Sequence, residues 1–300
     1  MIKLIAMDMD GTLLDDKDTI TKDTKEALIT CEKMGIKLIL ASGRLHTRLF
    51  KYAKQLEMFR YGGKLIEVNG MAIYDLASNK REVIKRISKD EIKEIFEFVK
   101  PFYLETQAYF DGGIEYFIPE EVMPLIMKER EERNLSDDMP ILGGPWSWNH
   151  DSRDGYPDQR RIYDIDELHL PFYNKFTLTH DPDIIKKYLP SILERFSNFE
   201  IVRSCPRLIE IMPKGISKGN ALRSVMEEEG CNEDEVMVFG DGENDITMFD
   251  HAYYSFAMEN AIDEVKKRAR YIAPRNTEEG LCNMIKRYVL NSDEPFDRSE

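Results

Sequence analysis

Two carboxylates spaced i, i+2 close the first apolar run of the chain, Ile2-Lys3-Leu4-Ile5-Ala6-Met7-Asp8-Met9-Asp10-Gly11-Thr12. In an extended strand that spacing puts both acids on one face. Close carboxylates repel, and a divalent cation would offset the cost. One acid can then ligate the ion and attack an electrophile, while the other handles protons. The plain alternative is a strand that happens to end in an acidic turn. Gly11, which permits a sharp exit, and the buried run before the acids weigh toward chemistry.

A second apolar run delivers acids in the same way: Val236-Met237-Val238-Phe239-Gly240-Asp241-Gly242-Glu243-Asn244-Asp245. Asp241 is a candidate metal ligand. Asp245 is suited to orienting a cation or a metal-bound water, and Asn244 to contacting a phosphate or such a water. An EF-hand loop is excluded, because its alternating oxygen ligands and terminal glutamate are missing. Hard oxygen donors without histidine or thiolate favour Mg2+ over zinc. The five histidines are scattered without ligand spacing.

Two further positions sit where strands hand over to helices. Ser42-Gly43 can donate hydrogen bonds to an anion at a helix start, although the pair is also an ordinary cap. Arg44 beside them suits either an anion contact or a structural ion pair. Lys218 opens a helix over 218–229, where a cation opposes the helix dipole. That placement makes sense if its ammonium reaches out to an acid or a phosphate.

The elements that carry these residues start with strands over 2–7, 36–40 and 235–239, which read as buried parallel strands, apolar almost throughout. Helices over 21–34, 45–56, 218–229, 245–250 and 277–289 alternate with them, and strands flank Asn69-Gly70, a tight-turn signal. Short strands are also expected near Ser255 and Ile272. Between about 82 and 206 the rhythm changes to mixed strands and helices, the clearest helices over 89–99, 121–133 and 182–196. The expectation is a discontinuous α/β domain, 1–81 with 207–300, interrupted by an α+β insert over 82–206, with connections near Lys80 and Pro206 as hinges. The strand over 208–212 would mark the return to the first domain. The segment 143–161 has no periodicity and reads as a long loop within the insert, a mobile surface excursion in preference to part of a specificity wall. The tail over 291–300 is polar and is expected to lack order.

Asp8-Met9-Asp10-Gly11-Thr12-Leu13-Leu14 resembles the first motif of the haloacid dehalogenase superfamily of phosphohydrolases. Ser42-Gly43, Gly215-Ile216-Ser217-Lys218-Gly219-Asn220 and the 240–245 cluster resemble its second, third and fourth motifs, in order. Glu67-Val68-Asn69-Gly70 and Asn260-Ala261 resemble signatures of the Cof-type, subclass IIB, sugar-phosphatase-like group. One departure is Glu259, where glycine is usual. The resemblance implies a Rossmann-like parallel-sheet core with an inserted α/β cap that reads the substrate. It implies Asp8 as nucleophile, Asp10 as acid and base, and Lys218 as a catalytic cation on Asp8 and phosphate. Thr12, Ser42, Gly43, Arg44 and Asn244 would contact phosphate or substrate. Mg2+ would be held by Asp8, Asp241 and the Asp10 backbone carbonyl, with Asp245 behind.

Composition sets the remaining bounds. The chain has 300 residues, 42% hydrophobic and 33% charged, with a formal charge of −14. Such acidity disfavours nucleic acid as a general partner, though not a small phosphorylated metabolite. No run approaches the ~20 apolar residues of a membrane span, and Asp8 and Asp10 break up the opening run too early for a signal peptide. Four cysteines without a Cys-x-x-Cys pair suggest reduced thiols and a cytoplasmic protein. The reading is a magnesium-dependent phosphatase of a small phosphate ester. A phosphotransferase or phosphomutase on the same scaffold, and an idle phosphometabolite-binding protein, are the alternatives.

Overall fold

The computed structural model of the chain describes residues 1–143, 153 and 155–291. These residues divide into two compact units, Met1–Ile84 with Ser217–Glu300, and Lys85–Ile216.

In the first unit β1 (Leu4–Met7) leads to α1 (Lys22–Lys33), β2 (Lys37–Ala41), α2 (His46–Gln55) and the short α3 (Met58–Tyr61). Then come β3 (Lys64–Glu67), β4 (Ala72–Asp75) and β5 (Lys80–Val83). The second unit holds β6 (Ile87–Ser88), α4 (Lys89–Val99), β7 (Glu105–Phe110), β8 (Gly113–Phe117) and α5 (Met123–Glu132). It continues with β9 (Asp158–Arg161), β10 (Phe172–Tyr173), β11 (Lys175–Thr179), α6 (Pro182–Arg195), β12 (Phe199–Cys205) and β13 (Leu208–Pro213). The chain then returns with α7 (Lys218–Glu229), β14 (Val236–Gly240), α8 (Ile246–Phe249), β15 (Tyr254–Met258), α9 (Asp263–Arg268), β16 (Tyr271–Ala273) and α10 (Gly280–Ile285).

The first unit is built on one sheet, ordered β16-β15-β14-β1-β2-β3-β4-β5. Its strands are parallel from β16 to β3, and β4 and β5 add antiparallel at one edge. Alternate residues feed two hydrophobic layers. Ile5, Met7, Leu40 and Phe239 belong to one, and Leu4, Ala6, Ile39 and Val238 to the other. That double covering is why these strands read as unbroken apolar runs. From β1 the chain proceeds outward on one side to β2 and β3, and on its return outward on the other through β14, β15 and β16. The order therefore reverses between β1 and β14, and ligands of open α/β sheets bind outside the carboxyl ends at such a point.

The second unit has a six-stranded sheet, β12-β13-β11-β7-β8-β9, and a two-stranded pair, β10-β6. All six-stranded pairings are antiparallel except β8 with β9. Its hydrophobic layer runs from Ile87 to Ile211, with Phe96, Phe176, Ile185 and Phe196 fully buried.

Several sequence expectations change. β5 pairs with β4, so residue 83 ends the first sheet instead of opening the insert. The 208–212 strand pairs with β11 and β12, and so belongs to the second unit's sheet. An apolar strand reads alike in either context, which is why the sequence misplaces it. Lys80 lies within β5 and Pro206 in the turn between β12 and β13, so neither stands at a unit boundary. Within the 143–161 segment, Asp158–Arg161 forms strand β9; residues 144–152 and 154 lie outside the described residues. The 291–300 tail also lies outside them apart from Asn291. All four cysteines are free, Cys31 and Cys282 being buried. No helix among the described residues is long and apolar enough to cross a membrane.

Candidate active site

β1 and β14 pair in parallel, Met7 beside Phe239, and the Asp8 amide still donates to the Phe239 carbonyl at 3.1 Å. The ladder therefore carries Asp8 one residue past the strand and leaves its side chain at the carboxyl edge. Asp241 follows β14 directly. Asp8, Asp241 and Asp245 each offer a carboxylate oxygen, all within 4.8 Å of one another. Gly11, at φ +82°, passes so close to Asp241 that a Cβ there would collide with its carboxylate.

Lys218 is fully buried at the start of α7, and its ammonium donates to Asp8 and, at 2.7 Å, to Asp245. The adverse helix dipole is outweighed by two carboxylates. Burial would lower the Lys218 pKa, but the charges of Asp245 and Asp8 raise it above its ordinary value. Asp245 is fixed in turn: its Oδ2 accepts the amides of Asp241 at 2.9 Å and Gly242 at 2.8 Å. Burial, then the Asp245 charge, pushes Asp8 well above the usual carboxylate range against the pull of Lys218. The same two causes push Asp241 up to about 7, opposed by a hydrogen bond from Thr12. One cation set among three crowded acids leaves the site electron-rich. Its hard oxygens and lack of sulfur or imidazole suit Mg2+.

The other sequence candidates fall around this cluster with more particular partners. Thr12 Oγ1 donates to Asp241 Oδ1 at 2.7 Å, so it orients that carboxylate. Ser42 is buried, and its Oγ accepts the Arg44 amide at 3.1 Å across Gly43. Asn244 Nδ2 donates to Asn69 Oδ1 at 2.9 Å. Asp10 stands apart from the acid cluster: its side chain is 58% exposed, and Arg44 grips it through Nε at 2.9 Å and through Nη2. Arg44 thus forms an ion pair, one of the two roles the sequence leaves open for it.

Sequence reasoning gave no role to several residues that hold these groups. Asn260 Nδ2 donates to the Gly11 carbonyl at 2.8 Å, and Asn276 Nδ2 to the Leu14 carbonyl at 2.8 Å, pinning the turn after Asp10. Glu67, wholly buried, accepts the His46 amide and Nδ1, each at 2.8 Å, and also Arg81. It so ties the first turn of α2 to β3. Asp18 and Tyr52 converge on Arg44. Asn260 had a signal in its resemblance to a family signature; Asp18 and Tyr52, 34 positions apart, had none.

Residues 5–285 match the haloacid dehalogenase-like hydrolase family. The chain belongs to it. Its relatives include 5-amino-6-(5-phospho-D-ribitylamino)uracil phosphatase YcsE of Bacillus subtilis, 29% identical, with 96% of each chain covered. Pyridoxal phosphate phosphatase YbhA of Escherichia coli is 26% identical, covering 96% of this chain and 99% of its own. Among solved structures, the haloacid dehalogenase subclass IIB sugar phosphatase BT4131 superposes with a TM-score of 0.72 at 23% identity, covering 95% of this chain and 98% of that one. The chain is thus a haloacid dehalogenase-type hydrolase with phosphatases as relatives, on a parallel-sheet α/β fold.

Proposed function

We propose that this hydrolase is a magnesium-dependent phosphatase of a small phosphate monoester, either a sugar phosphate or a phosphorylated cofactor. The observation that carries the reading is the convergence of Asp8, Asp241, Asp245 and Lys218 at the switch point between β1 and β14. That arrangement sets a nucleophilic carboxylate beside a fixed cation and a set of hard oxygen donors, which is what phosphoryl transfer requires. YcsE and YbhA are named for different phosphorylated metabolites, which supports the substrate class without selecting one member.

In the proposed reaction Asp8 attacks phosphorus and the bond to the leaving oxygen breaks, giving an aspartyl-phosphate. Asp10 gives its proton to that oxygen, then takes one from the water that attacks phosphorus and frees Asp8. Lys218 holds Asp8 in line and offsets charge on the phosphoryl group. Ser42 and the Gly43 amide are the donors assigned to phosphoryl oxygens, with Thr12 and Asn244 completing the rim. Asp8, Asp241 and the Asp10 carbonyl would hold Mg2+, with Asp245 behind them; the ion supplies neutralisation of the phosphoryl oxygens. We assign substrate choice to the insert, Lys85–Ile216, on its resemblance in position to the Cof-type cap.

The test is a screen of phosphorylated metabolites with Mg2+ and with EDTA, on the wild type and on Asp8→Asn. Phosphate release should need Mg2+ and fall by at least about 10³-fold in Asp8→Asn with an unchanged circular-dichroism spectrum. Full activity in that variant would end the proposal. Phosphate passing to an added sugar acceptor in preference to water would replace hydrolysis with transfer.

A further inference from the structure

Asp10 has to keep one orientation while a proton leaves it and another arrives, yet its carboxylate is largely in solvent. Among the described residues its side chain is hydrogen-bonded only by Arg44. What fixes Asp10 is therefore whatever fixes Arg44. The guanidinium has three further contacts or supports. Nη2 also donates to Asp18 Oδ1 at 2.9 Å, Nη1 to the Tyr52 hydroxyl at 3.3 Å, and the group stands 5.9 Å from the Tyr52 ring centroid.

The two supports are themselves joined. The Tyr52 hydroxyl donates to Asp18 Oδ2 at 2.6 Å, and Lys51 adds a bond to the same oxygen at 3.2 Å. Tyr52 is buried in α2, so its hydroxyl is a fixed point. Asp18 is presented by a turn that holds itself together: Asp15 accepts the amides of Lys17 and Thr19, each at 2.9 Å, and the Thr19 hydroxyl at 2.8 Å. Within it Asp18 takes the left-handed conformation, φ 59°, which aspartate tolerates better than most residues. Burial would raise the Asp18 pKa, but the Tyr52 hydroxyl and Arg44 hold it down at about 2, so its charge facing Arg44 is constant at working pH.

A planar guanidinium with donors committed to three partners has lost its rotamer freedom before substrate arrives. Resting on the phosphatase reading above, we propose that Asp18 and Tyr52 are positioning residues that clamp Arg44, and through it aim the Asp10 carboxylate. The competing account makes Asp18 a staple between its turn and α2, with no role in turnover.

The two accounts separate in a double-mutant cycle read in two ways. Asp18→Asn and Tyr52→Phe are made in the wild type and in Arg44→Met. The clamp requires that each lower kcat about tenfold, as a misaimed group does, with KM changed by less than about twofold. In the Arg44→Met background the same changes should move kcat by less than about twofold. Equal losses in both backgrounds would overturn the clamp. The second readout needs no turnover: NMR hydrogen exchange of the Arg44 Nε–H, slow in the wild type, should quicken about tenfold or more in Asp18→Asn, and unchanged exchange would overturn the clamp. If the wild type hydrolyses no phosphate ester, the phosphatase reading fails, and the exchange measurement still decides whether Asp18 holds Arg44.

Discussion

Lys218 is one ammonium against three carboxylates, and the arithmetic of that site governs its behaviour without ligand. Burial and the Asp245 charge push both Asp8 and Asp241 above the ordinary carboxylate range, the direction in which proton uptake would relieve the crowding. A divalent cation would do the same work better. Mg2+ should therefore stabilise the folded chain by mass action, by about 3 kcal/mol when it is present at about a hundred times its dissociation constant. In a chain of this length that is a rise of several degrees in Tm, read by thermal melts in Mg2+ against EDTA. Asp241→Asn should lose the rise at the same Mg2+ concentration. An equal rise in that variant would remove Asp241 from the ion's ligands.

At the scale of elements, the position of Lys218 depends on a turn far from it in sequence. Between β3 and β4, Asn69 sits at φ 56° and Gly70 at φ +97°, and a Cβ on Gly70 would strike the main-chain carbonyl of Ser217. Ser217 is the N-cap of α7, its hydroxyl accepting the Asn220 amide at 3.1 Å. Gly70→Ala thus carries two costs: about 1 kcal/mol for the positive φ, and a displacement of the first turn of α7. We expect about 2–3 kcal/mol lost in chemical denaturation and a fall in kcat, because the displaced turn carries the ammonium that meets Asp8. A stability loss with kcat unchanged would show that the turn and the lysine are uncoupled. The Asn-Gly pair is visible in the sequence as a turn; its contact with Ser217 is not. The same limit explains the other differences. β1, β14 and α7 stand where the sequence puts them, because unbroken apolar runs, a serine cap and helical spacing are local signals. β9, Asp-Gln-Arg-Arg, carries no apolar pattern and so looks like loop, and β13 looks like a parallel core strand although it pairs antiparallel on both sides. The Asp18–Tyr52–Arg44–Asp10 chain depends on tertiary folding alone.

At the scale of the whole molecule, each unit has hydrophobic layers of its own among the described residues. The first unit's layers on either side of its parallel sheet draw only on residues before 77 and after 220, whereas the second unit's layer draws only on residues between 87 and 211. The carboxyl-edge acids are built wholly on the first. A cavity made in the second core should therefore weaken that unit first, and the chain should cease to melt as one two-state body. Phe176 is the test position: it is fully buried on β11, paired with Ala108 on β7 and Ile211 on β13. Phe176→Ala removes most of a ring and leaves a void, for a loss of about 3–5 kcal/mol. Calorimetry should show an early transition split from the main one. Hydrogen exchange should show β7, β11 and β13 amides losing protection while β1 and β14 amides keep theirs. If instead β1 and β14 lose protection in step with β11, the two units unfold as one body, and the division of stability between them is wrong.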